Sequence, residues 1–246
     1  ERKMKTFKFV LVSLCIMSML TSWVSIEAKK KEEDKGKEVE SKLFLDDSKL
    51  DNQDYYNQFP SSAIQSFENA LLTPKVSDIK IITINSDQTK TDAKIAEEMI
   101  AVALGMRQEY VNLEAEGKSL LSGNLEGSEL EISEMVKAKL EDLKTAKAQL
   151  SESQKVYFLS GFTYLASSIV REKVILESAK MYVDEASKAT GMAKMKYAKD
   201  LPYATAVVTD IPILLESQIK TINEFATIAK TQSIKIPENV TKSLFE

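Results

Sequence analysis

The sequence predicts an all-α protein, an elongated antiparallel helical bundle of four or five helices with one minor two-strand ribbon as an optional addition. The 246 residues include only 7 Gly and 5 Pro, which favours long uninterrupted helices over a many-stranded sandwich. Apolar residues also recur at steps of three and four, which is the period of one helix face. Ser-x-x-Gln at Ser62 and Ser-x-x-Glu at Ser128 are typical of helix starts.

Residues 1–28 have the pattern of an export signal. Four basic residues between positions 2 and 8 precede the apolar run 9–20, and Ala28 supplies a small residue at the expected cleavage point. Lipidation of Cys15 is disfavoured, because Leu14 stands where a small residue is needed. The sequence therefore predicts export across a membrane, to the periplasm or the medium, by a cleaved signal. A signal-anchored membrane protein is the alternative, since the uncharged stretch 9–26 is just long enough to span a bilayer.

The region 29–58 is predicted to be a charged flexible tether, followed by a helical bundle domain over 59–246. Its first ten residues mix Lys, Glu and Asp and carry nothing to bury. Residues 43–45 are a small apolar island within this region, and we expect them to be able to dock on the bundle.

The first helix is expected to begin after Pro60 and to end before Pro74. Residues 79–84 follow it and are dense in β-branched side chains, which indicates a strand. A strand needs a partner, and residues 233–236 are a better match than 206–208. A short extended segment laid on the helices is the preferred alternative to a true ribbon.

Three further helical patterns follow. The second helix is expected from about Thr91 to Leu120, with a seam of period near 3.5. The third pattern spans 128–189, where we expect a break at 151–153, with an unbroken rod as the alternative. Pro202 and Pro212 are expected to bracket a short helical piece before a last long helix that begins at Asp210.

Several classes of chemistry are disfavoured by composition. After residue 28 the chain has no His and no Cys, so it lacks the commonest metal ligand, the usual base and a thiolate nucleophile. The carboxylate pair Glu97 and Glu98 is expected on a solvated helix face. The net charge of −4 opposes nucleic-acid binding, which needs clustered cations. We therefore expect a protein that is not an enzyme, with no cofactor, no metal and no nucleic-acid partner.

The most apolar and aromatic stretch after the export signal is 157–165, and the region 186–206 is rich in Ala, Met and Lys. Either region is also explained as bundle core, but together they form a candidate interaction surface, because Met adapts to irregular partners. The leading hypothesis is an exported non-enzymatic helical protein that binds a protein partner or associates with itself. The alternative is a membrane-active or lipid-binding helical protein. The candidate surface residues are Tyr157, Phe158, Phe162, Tyr164, Leu165, Met192 and Met195.

Overall fold

The computed structural model describes residues 43–116, 118–121 and 129–245, without the side chains of 129–131. The predicted export signal at 1–28 therefore lies outside the described residues. The described parts of the chain form helices packed against one another and contain no strand, which confirms the all-α prediction. The elements are a 3-10 helix Asp47–Lys49, α1 Gln53–Tyr56, α2 Phe59–Leu71, α3 Ile79–Ala103, α4 Arg107–Ala115, α5 Glu129–Lys144, α6 Glu152–Lys188, α7 Met192–Ala198, α8 Leu201–Thr231 and α9 Glu238–Phe245.

Helix α6 is the centre of the bundle, and α2, α3 and α8 pack around it. Its 37 residues correspond to about 55 Å of helix. Helix α3 runs antiparallel to α6, since Asp92 contacts Arg171 while Ala96 lies against Gly161 nearer the start of α6. Helix α8 is also antiparallel to α6, since Gln218 contacts Glu172 while the later Phe225 contacts Phe158. Helix α2 runs parallel to α6, because Phe59 contacts Tyr157 near its start. The long helices α2, α3, α6 and α8 therefore alternate in direction along the chain, as the predicted antiparallel bundle requires.

The expected break at 151–153 is confirmed. Helix α5 ends at Lys144, and α6 begins after Ser151 with a complete capping box. The backbone N–H of Gln154 donates to Ser151 Oγ at 3.3 Å, and the N–H of Ser151 donates to Gln154 Oε1 at 2.9 Å. A local hydrogen-bond pattern of this kind starts a helix without any help from packing.

The expected strand at 79–84 is wrong, and so is the ribbon. These residues form the first turns of α3. Asp78 caps the helix, and its side chain accepts a hydrogen bond from the N–H of Lys80 at 2.8 Å. Ile82 is buried against α6 and α8, whereas Ile84 is 62% exposed. Burial of one helical face therefore determines the conformation of 79–84, and it overrides the weaker strand preference of the β-branched residues.

Three expected helix boundaries differ from the structure. Helix α8 continues through Pro212, because Val207 and Ile211 before it and Ile222 after it are all buried. The expected helix from Thr91 to Leu120 is divided at Gly105, whose φ of +62° ends α3. Helix α2 begins at Phe59 without a side-chain cap, upstream of Ser62, and the second expected capping box at Ser128 lies outside the described residues.

Residues 43–58 are folded onto the bundle, which differs from the flexible tether predicted for that part of 29–58. Leu45 is 5% exposed, and the backbone N–H groups of Phe44 and Leu45 both donate to the buried Glu98 carboxylate, at 2.9 Å each. Tyr157 of α6 donates its hydroxyl to the carbonyl of Leu50 at 3.0 Å. The island at 43–45 docks as expected, and residues 29–42 lie outside the described residues.

Candidate interaction site

Five of the predicted surface residues lie in the core, which corrects that part of the prediction. Helices α2, α3 and α8 cover α6 on several sides, so its aromatic stretch has no free face. Phe158 and Phe162 are completely buried in this stretch. Phe158 packs on Phe225 of α8, with ring centroids 5.4 Å apart. The five residues are Tyr157, Phe158, Phe162, Tyr164 and Leu165, each at most 8% exposed.

The two remaining candidates lie on the surface. Met192 is 87% exposed and Met195 is 77% exposed, both on α7. Gly191, with φ of +57°, allows the chain to turn from α6 into this helix. Tyr197 holds α7 to α6 by an edge contact with Tyr182, with centroids 5.1 Å apart. The methionines are thus presented by a short helix that a tyrosine anchors from one side.

The exposed methionines lie among lysines. Lys194, Lys196 and Lys199 form no ion pair with any residue that the structure describes. We call Met192, Lys194, Met195, Lys196 and Lys199 together the α7 tip. The tip is basic in a chain whose net charge is −4. The arrangement combines flexible apolar side chains with unneutralised cations, which suits an acidic partner surface.

Both arginines after residue 28 form ion pairs with buried carboxylates. Arg107 Nη1 lies 2.7 Å from Glu98 Oε1, and Arg171 Nε lies 3.3 Å from Asp92 Oδ2. Glu98 is fully buried, which contradicts its expected place on a solvated face. Its neighbour Glu97 is partly buried, and burial raises the pKa of Glu97 to about 7. Hydrogen bonds from the Ser119 hydroxyl and the backbone N–H of Leu121 lower this pKa and so oppose the rise.

A second kind of buried carboxyl lies between α6 and α8. Glu172 is 1% exposed and accepts hydrogen bonds on Oε1 from Gln218 Nε2 at 2.9 Å and from Ser168 Oγ at 3.3 Å. Burial raises the pKa of Glu172 to about 8, and the two hydrogen bonds oppose that rise. The group is therefore mostly protonated at pH 7 and contributes no charge to the core.

An open polar cleft of about 440 Å³ lies between α2, α3 and α6, and sequence reasoning missed it. Its members are spread over more than a hundred positions of the chain, so no short motif reveals it. The sequence holds one indication of buried polar groups here, because the charged residues Arg171 and Glu172 interrupt an otherwise apolar helical stripe. Its lining residues are Ser62, Gln65, Ser66, Asn69, Ile84, Asn85, Gln88, Asp92, Ile95, Tyr164 and Arg171.

Within the described ranges, no three acidic side chains approach closely enough to hold a metal ion. Among the helices described there, none combines the length and the apolar character needed to cross a bilayer. Comparisons with models of known protein families, with curated proteins and with solved structures gave no match.

Proposed function

We propose that this chain is an exported, non-enzymatic binding protein whose α7 tip docks on a protein partner carrying acidic side chains beside an apolar stripe. The observation that supports this most directly is the exposure of Met192 and Met195, at 87% and 77%. Leu72 at 80% and Ile84 at 62% are also exposed, but Met192 and Met195 lie three residues apart on one helix and so form a cluster. Clustered apolar exposure of this kind is typical of an interaction site.

Charge decides which partner the tip suits. Lys194, Lys196 and Lys199 surround the methionines without a neutralising carboxylate among the described residues. Opposite charge on a partner accelerates association and fixes the orientation of the complex. Two α7 tips facing each other would place lysine against lysine, which disfavours a symmetric dimer through this surface. The favoured partner is an acidic protein surface, either foreign or a different face of a second copy.

A lipid surface is the less favoured occupant of the tip. Helix α7 has 7 residues, and Tyr197 packs inward on Tyr182. Interfacial helices usually bury a face of Trp, Phe and Leu in the headgroup region. Two methionines and two lysines on a single short helix, with Lys199 directly after it, offer little area for that mode.

The test uses two designed amphipathic helical peptides with identical leucine positions, one with glutamate and the other with lysine on the polar face. We expect fluorescence anisotropy to show that the full chain binds the acidic peptide at least about tenfold more tightly than the basic one, and less tightly at high salt. Replacing both Met192 and Met195 with Glu should abolish this binding. Met135→Glu, at an exposed methionine on α5, is the matched control and should leave it unchanged.

Equal binding of the two peptides, or binding that survives the double Glu variant, would overturn the proposal. Flotation with vesicles of phosphatidylglycerol distinguishes the lipid alternative. If the chain binds these vesicles through the tip and neither peptide, the occupant is an anionic membrane.

A further inference from the structure

The polar cleft between α2, α3 and α6 has a floor that is built from buried charge. Asp92 is 1% exposed and Arg171 is 6% exposed, and their ion pair joins α3 to α6. Ser66 of α2 donates to both Asp92 oxygens at 3.0 Å, and Ser167 of α6 donates to Oδ2 at 2.9 Å. Gln88 Nε2 adds a contact to Oδ1 at 3.1 Å. These hydrogen bonds fix the floor in one arrangement and leave the aspartate no free acceptor.

The Asp92–Arg171 pair at the floor has no net charge, but some N–H groups of Arg171 remain available as hydrogen-bond donors. The Arg171 guanidinium has five N–H groups and makes three contacts, to Asp92, to Thr73 Oγ1 at 3.3 Å and to the Ser66 carbonyl at 3.2 Å. The remaining N–H groups have no partner in the described chain, and Arg171 lines the cleft. A ligand oxygen can therefore accept from this edge without meeting a net charge.

The walls present polar groups that nothing in the described chain uses. The side-chain amides of Gln65 and Asn69 on α2 and the hydroxyl of Tyr164 on α6 make no hydrogen bond to any described residue. Asn85 donates its amide to the Ile81 carbonyl at 2.9 Å, which leaves its side-chain oxygen as an acceptor. The cleft thus offers both donors and acceptors, and every one of these groups is uncharged.

Apolar surface runs beside these amides. Ile84 is 62% exposed at one edge, and Ile95 and the Tyr164 ring also line the cleft. A volume of about 440 Å³ lies within the range of small-molecule sites, which combine apolar walls with a few placed polar groups. The cleft has this composition, with a larger polar share than is usual.

We infer that this cleft binds an uncharged, hydroxyl-rich ligand of the size of a mono- or disaccharide. Hydroxyls both donate and accept, as the amides of Gln65 and Asn69 require, and the C–H faces of a sugar ring suit Ile84 and Tyr164. Asp92 and Arg171 neutralise each other, so the floor of the cleft carries no net charge that would favour a charged ligand. The site lies on α2, α3 and α6, apart from α7, and is independent of the proposed protein docking.

The experiment is saturation-transfer NMR on the full chain with maltose, cellobiose and N,N′-diacetylchitobiose as neutral probes. Glucosamine and glucose 6-phosphate are the charged comparisons. We expect saturable millimolar or tighter binding of at least one neutral probe and weaker binding of both charged sugars. Gln65→Ala and Asn69→Ala should each weaken it about fivefold, the effect of one lost hydrogen bond. Tyr164→Phe should weaken it similarly if the hydroxyl contacts the ligand.

Gln65 and Asn69 are exposed and bear no part of the core, so their variants should keep the wild-type circular dichroism and melting temperature. Gln108→Ala, at an exposed amide on α4, is the control and should bind as the wild type does. The inference fails if no neutral probe binds at millimolar concentration, if a charged sugar binds more tightly, or if the two amide variants bind as well as the control.

Discussion

Two neighbouring residues of α6 show two ways to bury a carboxyl group in one bundle. Arg171 points to α2 and α3, where it pairs with Asp92, and Glu172 contacts Gln218 of α8. Asp92 receives a cation, two hydroxyls and an amide. Glu172 receives one amide and one hydroxyl and has no cation among its neighbours. One carboxyl is compensated by charge, and the other is compensated by a proton.

The difference follows from the cost of removing charge from water. An isolated buried carboxylate is expensive enough that it takes up a proton unless a cation and hydrogen bonds surround it. The Glu172 pKa of about 8 reflects that choice. Glu172 Oε2 accepts no hydrogen bond from any described residue, so a negative charge on the group would be only partly compensated. Protonation removes that cost.

The largest effect should come from removing the cation of the charged site. Arg171→Met leaves Asp92 buried without its partner, and we expect the free energy of unfolding to fall by about 3–5 kcal/mol. Urea unfolding followed by circular dichroism measures the loss. The double variant Asp92→Asn, Arg171→Met removes the stranded charge and should recover a large part of the stability. A loss below about 1 kcal/mol for the single variant would mean that the ion pair does not organise this face.

The second effect is a pH dependence that belongs to the neutral site. The folded-state pKa of Glu172, about 8, lies above its usual value of 4.5. The folded chain therefore holds a proton that the unfolded chain releases. The stability from the protonated form is complete below pH 4.5, declines as pH rises, and is lost above about pH 8, at up to about 1.4 kcal/mol per pH unit.

Glu172→Gln isolates that contribution because glutamine does not titrate. We expect the free energy of unfolding of the wild type to fall relative to this variant between pH 5 and pH 9, measured in matched urea titrations. Burial also raises the pKa of Glu97, to about 7, but this group is present in both proteins and cancels in the difference. Parallel pH profiles for the two proteins would show that Glu172 is already ionised in the fold.

Local sequence rules predicted the fold correctly only where packing does not override them. The break before α6 follows from Ser151 and Gln154, three residues apart. The helical conformation of 79–84 does not, because it depends on Ile82 meeting α6 and α8. Local rules also predict that Pro212 ends a helix, but α8 continues through it because residues on both sides, Ile211 and Ile222, are buried.

The candidate sites divide in the same way. Apolar composition identified both 157–165 and the methionines of α7, yet it does not distinguish a helix covered by neighbours from one attached along a single side. Phe158 is buried because neighbouring helices cover α6, and Met192 is exposed because α7 packs along one side only. Asp92 and Arg171 are 79 positions apart, so only the fold brings them together.

A third, smaller effect tests how closely α6 approaches α3 on its charged side. A Cβ added at Gly161 would lie 2.9 Å from the Ala96 carbonyl oxygen, a backbone atom, and 3.0 Å from Ile100 Cγ1. Because the backbone has to shift, Gly161→Ala should destabilise the fold by about 1–3 kcal/mol in spite of alanine's better helix propensity. Thermal unfolding measures this, with Lys180→Ala at an exposed position of α6 as control. An unchanged or higher melting temperature for Gly161→Ala would mean that the two helices are not in close contact there.

The smallest expected effect concerns the other charged pair, Glu98 with Arg107, and it is local. Glu98→Gln keeps an oxygen for the N–H groups of Phe44 and Leu45 but removes the charge that strengthens these bonds. Hydrogen bonds to charged acceptors exceed neutral ones by about 1 kcal/mol, so the segment 43–50 should open about fivefold more often. Amide hydrogen exchange at Phe44 and Leu45 reports this opening, with α6 amides as the internal reference. If their protection is unchanged, the charge of Glu98 does not hold this segment. Glu98 and Asp92 would then both be buried, but only the charge of Asp92 would stabilise the fold. If protection falls throughout the bundle, the pair supports the global fold as the Asp92 pair does, and both charged sites belong to one cooperative core.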